Sequence, residues 1–167
     1  MKTLYLLRHA KSGWPDSSVG DFERPLSARG EKTAPFVGAL MKENGLLPQT
    51  IISSPAKRAR ETAELVAETL EFADDIIFDQ RVYEASPMRL IAIVSEIGNE
   101  LDSAMIVGHN PGMEGIIWYL TGKMEPMPTA ALAQIQLPVD RWNEITEGCG
   151  TLTEILRPKD VARISPI

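Results

Sequence analysis

The stretch that decides the fold is LYLLRH at residues 4–9, where four apolar or aromatic residues run directly into Arg8 and His9. A short apolar run bounded by polar residues is typical of a buried strand, so residues 3–8 are predicted to form one. Both polar side chains then stand at the carboxyl end of that strand, where the fold can bring them to a ligand.

Further along the chain, predicted strands alternate with predicted helices. The strands are expected at residues 50–53, 76–82 and 104–108, with two more strand-like stretches at 130–137 and 151–156. Helices are expected from Ser27 to Asn44-Gly45, from near Pro55 to Leu70, from Ser86 to Ile97 and from Pro111 to Leu120. This alternation predicts a layered α/β fold around a largely parallel sheet, with an antiparallel strand among the last two.

Composition narrows the class of protein. The 167 residues are expected to form a single domain, and the net charge of −6 comes from scattered acidic residues, which argues against a nucleic-acid partner. The lone Cys149 excludes an intrachain disulfide and fits a reducing compartment. No early apolar run is long enough to span a membrane, so a cytoplasmic protein is expected. Two histidines and one cysteine are few for a zinc site, and no metal is expected.

Polar clusters follow each of the main predicted strands. They are Arg8-His9, the SSPAKR turn that ends in Arg58, Glu84, and the GHNPG turn that contains His109. Ligands of parallel sheets bind beyond the carboxyl ends of the strands. Arginine binds an oxyanion through a planar fork of donors, and backbone N–H groups at a helix start favour an anion as well. Two arginines and two histidines at one edge therefore predict a phosphate pocket.

These residue types also suggest a reaction. A neutral imidazole is a competent nucleophile when a hydrogen bond orients one ring nitrogen, and its attack on phosphorus gives a phosphohistidine that water can hydrolyse. Phosphoryl transfer needs mainly positioning and charge neutralisation, so arginines could take the role that magnesium plays elsewhere. Glu84 is the candidate acid that protonates the leaving group.

Four motifs in order, LLRHAKS, SSPAKRARETA, VYEAS and VGHNPG, resemble those of the histidine phosphatase superfamily, which includes the phosphoglycerate mutases and acid phosphatases. The similarity is closest to the short SixA-like phosphohistidine phosphatases and covers nearly the whole chain. It implies a phosphoglycerate mutase-like three-layer α/β/α sandwich around a mostly parallel mixed sheet. It also implies one histidine phosphatase domain over residues 1–167 that works without a metal or other cofactor.

The resemblance assigns roles to particular positions. It implies that His9 is the phosphorylated nucleophile and that Glu84 falls near the usual proton donor. The remaining phosphate-binding side chains would be Arg8, Ser12, Arg58 and His109. Pro15 stands where mutase-like relatives carry a phosphate-contacting Asn, which disfavours a sugar-phosphate mutase.

The favoured substrate is a phosphohistidine on a protein partner such as a phosphotransfer domain, because no long insertion is present to form a lid over a small ligand. A phosphatase of small phosphoesters or sugar phosphates is the alternative of the same class. A non-catalytic phosphate-binding module is the alternative of another class. The oligomeric state does not follow from the sequence.

Several neighbouring residues have structural interpretations. Asp21 and Arg24 are expected to pair and brace the loop before the first helix. Trp14 could line the mouth of the site or cover the edge of the core. Trp118 and Tyr119 are expected to pack their helix against the core.

Overall fold

A computed structural model describes residues 1–162, so residues 163–167 of the predicted domain lie outside the described part. The strands are β1 (Lys2–Arg8), β2 (Thr50–Ser53), β3 (Ile77–Phe78), β4 (Ser103–Gly108), β5 (Leu132–Leu137) and β6 (Thr151–Leu156). The helices are α1 (Ala28–Glu43), α2 (Lys57–Leu70), α3 (Pro87–Ser95), α4 (Gly112–Thr121) and α5 (Pro158–Ala162).

All of these strands belong to one sheet in the order β3-β2-β4-β1-β5-β6. β3, β2, β4 and β1 are parallel to one another, whereas β5 is antiparallel to both β1 and β6. In the register of β1 with β4, Arg8 stands beside Gly108. The carboxyl ends of β1, β2 and β4 therefore meet at one edge of the sheet, as the sequence predicts.

Side chains that alternate along the central strands build two cores, one on each face of the sheet. In β1, Leu4 and Leu6 pack into the cluster that contains α3 and α4, whereas Tyr5 and Leu7 pack into the cluster that contains α1 and α2. Because a strand with both faces buried needs apolar residues in succession, the run LYLL is explained by its central place. The predicted three-layer α/β/α sandwich around a mostly parallel mixed sheet is thereby confirmed.

Helix boundaries follow the capping signals of the sequence closely. The Ser27 hydroxyl accepts a hydrogen bond from the Gly30 N–H at 3.2 Å, and α1 ends before Asn44 and Gly45, whose φ is +68°. At α3, the Ser86 hydroxyl accepts from the Arg89 N–H at 3.2 Å. A serine hydroxyl at each start satisfies a donor that the helix leaves free, and a glycine adopts the left-handed turn at low cost.

The third strand is much shorter than the predicted 76–82. Only Ile77 and Phe78 pair with β2, and both lie exposed at the sheet edge. The Asp79 carboxylate then accepts a hydrogen bond from the Arg81 N–H at 2.9 Å and starts a helical turn over Gln80–Val82. A short polar side chain that bonds to nearby backbone competes with the strand ladder, and here it ends the strand.

No helix within residues 1–162 is both long enough and apolar enough to cross a membrane. Across the same range, the His, Cys, Asp and Glu side chains form no group of three or more that could hold a metal ion.

The start of α1 is docked on the loop that follows His9. The Ser27 N–H donates to the Lys11 carbonyl at 2.9 Å, and the Ser27 hydroxyl donates to the same oxygen at 3.1 Å. A Cβ added at Gly30 would lie 2.1 Å from that carbonyl oxygen. The loop behind the predicted nucleophile is thus packed against backbone that tolerates no side chain at Gly30.

Replacing Gly30 by Ala tests this packing. We expect G30A to lower the free energy of unfolding by about 1–3 kcal/mol in urea titrations, because the new methyl group forces the Lys11 loop away from α1. The matched control is G20A, since Gly20 is exposed with φ −75° and an added Cβ meets nothing within 4 Å. Equal stability of the two variants would show that the α1 contact is not tight.

Candidate active site

His9 follows β1 directly and is buried with only 6% of its surface exposed. Its backbone N–H donates to the Gly108 carbonyl of β4 at 3.0 Å, which fixes the residue at the sheet edge. The ring Nδ1 lies 2.8 Å from the Ala10 carbonyl oxygen. Because a carbonyl only accepts, Nδ1 carries the proton and Nε2 carries the free lone pair in the neutral ring. Burial, with His109 and the nearby arginines adding to it, lowers the pKa of His9 to about 3.

Arg58 lies in the first turn of α2, beyond the carboxyl end of β2. The side chain is 6% exposed, whereas its neighbours Lys57 and Arg60 are exposed, as the helix register predicts. Its Nη1 donates to the Asp21 backbone carbonyl at 2.6 Å and its Nη2 to the Asp21 carboxylate at 3.1 Å. Two contacts to one residue hold the guanidinium plane in a single orientation.

His109 follows β4, with its ring centroid 5.1 Å from that of His9. Its Nε2 lies 2.8 Å from the Ser54 hydroxyl, and that hydroxyl also accepts a hydrogen bond from the Ala56 N–H at 3.2 Å. The hydroxyl can donate its proton to Nε2, and the ring proton then lies on Nδ1. Burial and, next, Arg58 lower the pKa of His109 to about 4.

Arg8 ends β1 and reaches across to the segment between α4 and β5. Its Nη1 donates to the Met127 carbonyl at 3.1 Å, and burial lowers the pKa of Arg8 although Glu114 opposes this shift. The Asn110 amide donates to the same carbonyl at 2.9 Å and to the Glu114 carboxylate at 2.8 Å. The structure thus couples Arg8 to a segment that the sequence shows only as a Pro-rich loop.

Three buried side-chain nitrogens in the described part of the chain have no hydrogen-bond partner, and all three belong to this site. They are Arg8 Nε, Arg58 Nε and His109 Nδ1. A buried donor without a partner is costly, and functional sites are where such atoms are retained. The charges of all three residues lie close enough to His9 to help lower its pKa. The arrangement is suited to an oxyanion that accepts from each of them.

Asp21 supplies the negative charge that holds this cationic pocket together. Besides binding Arg58, its carboxylate accepts from the Tyr83 hydroxyl at 2.6 Å and from Arg24 Nε at 3.2 Å. The Tyr83 hydrogen bond, followed by the charge of Arg58, keeps the pKa of Asp21 below its usual value, while Asp21 raises the pKa of Tyr83 to about 12. The predicted pairing with Arg24 is confirmed, but the bonds to Arg58 and Tyr83 have no signature in the sequence.

The loop before α1 places the weaker candidates. The Ser12 hydroxyl accepts from Arg24 Nη1 at 3.0 Å, and the Arg24 guanidinium stacks on the Trp14 ring with its central carbon 4.5 Å from the ring centroid. Trp14 is 58% exposed, so it does not cover the core. Ser12 keeps its hydroxyl proton available for another acceptor.

Glu84 and Tyr83 lie on the other side of the pocket, after β3. Glu84 is exposed, with a φ of +55°, and lines a cavity of about 630 Å³ together with Asp21, Arg58 and His109. The Tyr83 ring meets the His109 ring edge-on at 5.6 Å between centroids. All the predicted site residues except Ser12 and Arg8 therefore contact this cavity or the His9–His109 pair. Asp21, Tyr83 and Ser54 also lie in the site, although the sequence predicted no role there for any of them.

The family of the chain follows from comparison with known proteins. A family model of the histidine phosphatase superfamily (branch 1) matches residues 4–90, which include β1, β2 and the start of α3. An uncharacterized chloroplastic protein of Arabidopsis thaliana is 34% identical over 152 residues, which cover 86% of this chain and 70% of that protein. The chain belongs to the histidine phosphatase superfamily, and the resemblance read from its motifs is confirmed.

Solved structures agree with this membership. A structure from Agrobacterium tumefaciens, provisionally named phosphohistidine phosphatase SixA, is 27% identical with a TM-score of 0.82 and covers 94% of this chain and 98% of that chain. The protein histidine phosphatase SixA complexed with tungstate has a TM-score of 0.83 over 95% of this chain and 99% of that chain, at 20% identity, and so shows the shared fold. Family and neighbours together identify a phosphatase.

The lowered pKa values predict how stability depends on pH. The chain has two histidines, and both bind protons more weakly when folded than when unfolded, where the pKa is about 6.5. The free energy of unfolding should therefore fall between pH 7 and pH 5, by about 2 kcal/mol for each histidine. Urea unfolding in buffers free of phosphate and sulfate measures this, since such anions would stabilise the charged rings.

The control for the pH effect is the double variant H9Q/H109Q. Without either imidazole, the fall in the free energy of unfolding between pH 7 and pH 5 should nearly vanish. Carboxyl groups, with pKa values of about 4, are mostly deprotonated over this whole range. An equal fall in the variant and the wild type would show that other groups cause it.

A second prediction concerns the hydrogen bonds by which Asp21 orients Arg58. D21N keeps an oxygen acceptor but removes the charge, so the guanidinium loses its orientation and kcat/KM for p-nitrophenyl phosphate or phosphoramidate should fall about tenfold, a loss of about 1.4 kcal/mol. The matched control is D16N, because Asp16 lies in the same loop, is exposed and bonds only within residues 16–19. Equal activity of the two variants would contradict this role.

Proposed function

We propose that the protein is a metal-independent phosphatase that transfers a phosphoryl group to His9 and then to water, and that its substrate is a phosphohistidine on a partner protein. The observation that carries the proposal is a set of three unpartnered buried nitrogens on residues whose charges act on His9: Arg8 Nε, Arg58 Nε and His109 Nδ1. The phosphoryl group offers three outer oxygens, and each would accept from one of these groups. Ser12 would add a hydroxyl donor from the loop.

The reaction then has two steps. In the first, the lone pair of His9 Nε2 attacks phosphorus, a P–N bond forms, and the bond from phosphorus to the leaving group breaks while Glu84 gives the leaving atom a proton. In the second, water attacks the phosphohistidine, Glu84 takes back a proton, and inorganic phosphate leaves with His9 regenerated. The hydrogen bond from Nδ1 to the Ala10 carbonyl supports this role, since it keeps Nε2 as the nucleophilic nitrogen.

Charge neutralisation in this scheme comes from the protein itself. The guanidinium groups of Arg8 and Arg58 would face the transferred group in a partly dehydrated site, where electrostatic stabilisation is stronger than in water. A loose phosphoryl-transfer transition state needs positioning and charge compensation more than covalent help. The two arginines would thus supply what a magnesium ion supplies in other phosphoryl-transfer enzymes.

Two observations favour a protein substrate. The Agrobacterium tumefaciens structure named after phosphohistidine phosphatase SixA is similar over nearly the full length of both chains. The exposed position of Glu84 beside the cavity leaves room for a side chain that enters from another molecule. A small phosphoester is the alternative of the same class, and the cavity of about 630 Å³ lies within the range of small-ligand sites.

Trapping the phosphoenzyme tests the proposal. Wild-type protein mixed with ³²P-labelled phosphohistidine peptide in EDTA should give an acid-labile phosphoprotein within the first turnover, and H9A should give none, because only His9 Nε2 can receive the phosphoryl group. H109A should still form some of it, at least a hundredfold more slowly. A wild-type protein that binds phosphate but is neither labelled nor active would establish the non-catalytic binding module instead.

A comparison of leaving groups separates the two substrate classes. Values of kcat/KM would be measured for phosphohistidine peptide, phosphoserine peptide and a panel of sugar phosphates. We expect the phosphohistidine peptide to win, and E84Q to slow the phosphoserine peptide more, because imidazole is the better leaving group and needs the acid less. A sugar phosphate that exceeds the peptide by orders of magnitude would overturn the protein-substrate assignment.

A further inference from the structure

A second cavity, of about 650 Å³, adjoins the active-site cavity along α4. Pro111 and Gly115 line both cavities, so the two lie next to each other at the first turn of that helix. On its far side the second cavity is bounded by Trp118 of α4 and by Met124 and Pro126 of the following segment. This space is called the α4 groove below.

The α4 groove presents apolar surface to its surroundings. The sequence predicts that Trp118 packs against the core, but this prediction is wrong, since the side chain is 55% exposed. The core face of α4 is occupied by Ile116, Ile117 and Leu120. Met124 is 87% exposed. Two carboxylates line the groove, and both are already bound: Glu114 to the Asn110 amide and the Met127 N–H, and Glu125 to Arg157 at 2.8 Å. The lining side chains that make no hydrogen bond or ion pair within the protein are therefore chiefly the indole of Trp118 and the thioether of Met124.

Contacts behind the groove hold its wall in place. Arg157 binds the Glu125 carboxylate and also donates to the Pro126 carbonyl at 3.0 Å, which fixes the segment from the outside. From the inside, the Met127 carbonyl accepts from Asn110 and from Arg8 Nη1 at 3.1 Å. The wall of the groove is thus preformed, so a ligand that binds there loses less free energy to the ordering of this segment. The same wall shares Arg8 with the phosphate pocket.

We propose that the α4 groove binds the polypeptide that flanks the phosphorylated residue of a protein substrate, with an apolar side chain of that polypeptide seated between Trp118 and Met124. This inference rests on the proposed function and adds to it a requirement on the sequence of the substrate. Because Pro111 and Gly115 line both cavities, a polypeptide with its phosphoryl group at His9 would pass these two residues to reach the groove.

The size of the combined space favours a polypeptide over a small phosphoester. Each cavity alone is as large as a typical small-molecule site, of about 300–1,000 Å³. A phosphoester held at His9 would fill the first cavity and leave the indole of Trp118 uncovered. A peptide chain reaches both, since neighbouring side chains on it are several ångströms apart. Exposed aromatic and methionine side chains beside a site are also the common anchors of protein interfaces.

Two phosphohistidine peptides test the inference. Both carry one histidine phosphorylated with potassium phosphoramidate; one has Leu and Phe beside the histidine, and the other has Ser and Gly. Wild-type protein should prefer the apolar peptide about tenfold in kcat/KM, because one large apolar side chain leaves water on binding. W118A and M124A should each reduce this preference to twofold or less, while their turnover of free phosphoramidate stays at the wild-type value.

The matched control is L47A. Leu47 is 52% exposed like Trp118, but it precedes β2 at the opposite edge of the sheet, where its carbonyl faces the start of β4. This variant should keep the full preference for the apolar peptide. Thermal melting of all three variants checks that each is folded.

Three results would overturn the inference. One is a wild-type protein that does not distinguish the peptides, and another is a preference that survives in both W118A and M124A. The third is a loss confined to 1-naphthyl phosphate in W118A, which would assign the groove to a small aromatic phosphoester. If phosphoramidate itself is not turned over by wild-type protein, the proposed function fails and this inference fails with it; turnover of phosphoramidate without peptide preference overturns the inference alone.

Discussion

The placement of buried Arg58 and half-buried Arg8 near two imidazoles is the constraint on which the rest of the site depends. Cations placed together out of water repel one another, and each loses hydration that only a partner can replace. The protein compensates with the carboxylates of Asp21 and Glu114 and with backbone carbonyls such as that of Met127. The compensation is incomplete, since three nitrogens are left without partners, and this residual demand is what an oxyanion would satisfy.

The same constraint explains why both histidines are neutral. Burial and the neighbouring positive charges disfavour a further proton on either ring, and the hydrogen bonds to the Ala10 carbonyl and the Ser54 hydroxyl then fix which nitrogen is free. His9 keeps a lone pair on Nε2, whereas His109 directs an N–H into the pocket. One electrostatic environment thus leaves the two histidines with opposite free groups, as the proposed roles of nucleophile for His9 and donor for His109 require.

Much of the fold was predictable because its signals are local. A strand with both faces buried needs a continuous apolar run, and serine caps with a terminal glycine set the ends of α1, so both were readable from short segments. Arg58 could be separated from Arg60 by helix register alone. β3 was predicted too long, because the Asp79 side chain bonds to the backbone of Arg81 and turns the chain after two residues, a choice that apolar composition does not reveal.

The sequence by itself determined the layered α/β class, the polar clusters at the strand ends and the residue types that suit phosphate. Only the tertiary structure decided which groups bind these residues. Arg58 binds Asp21, which is 37 positions away in the sequence, and Arg8 binds the Met127 carbonyl, which is 119 positions away. It also decided that Trp118 faces outward beside the site. The physical reason is that capping and hydrophobic periodicity act over a few residues, whereas the compensation of buried charge depends on which distant segments the sheet order brings to one edge.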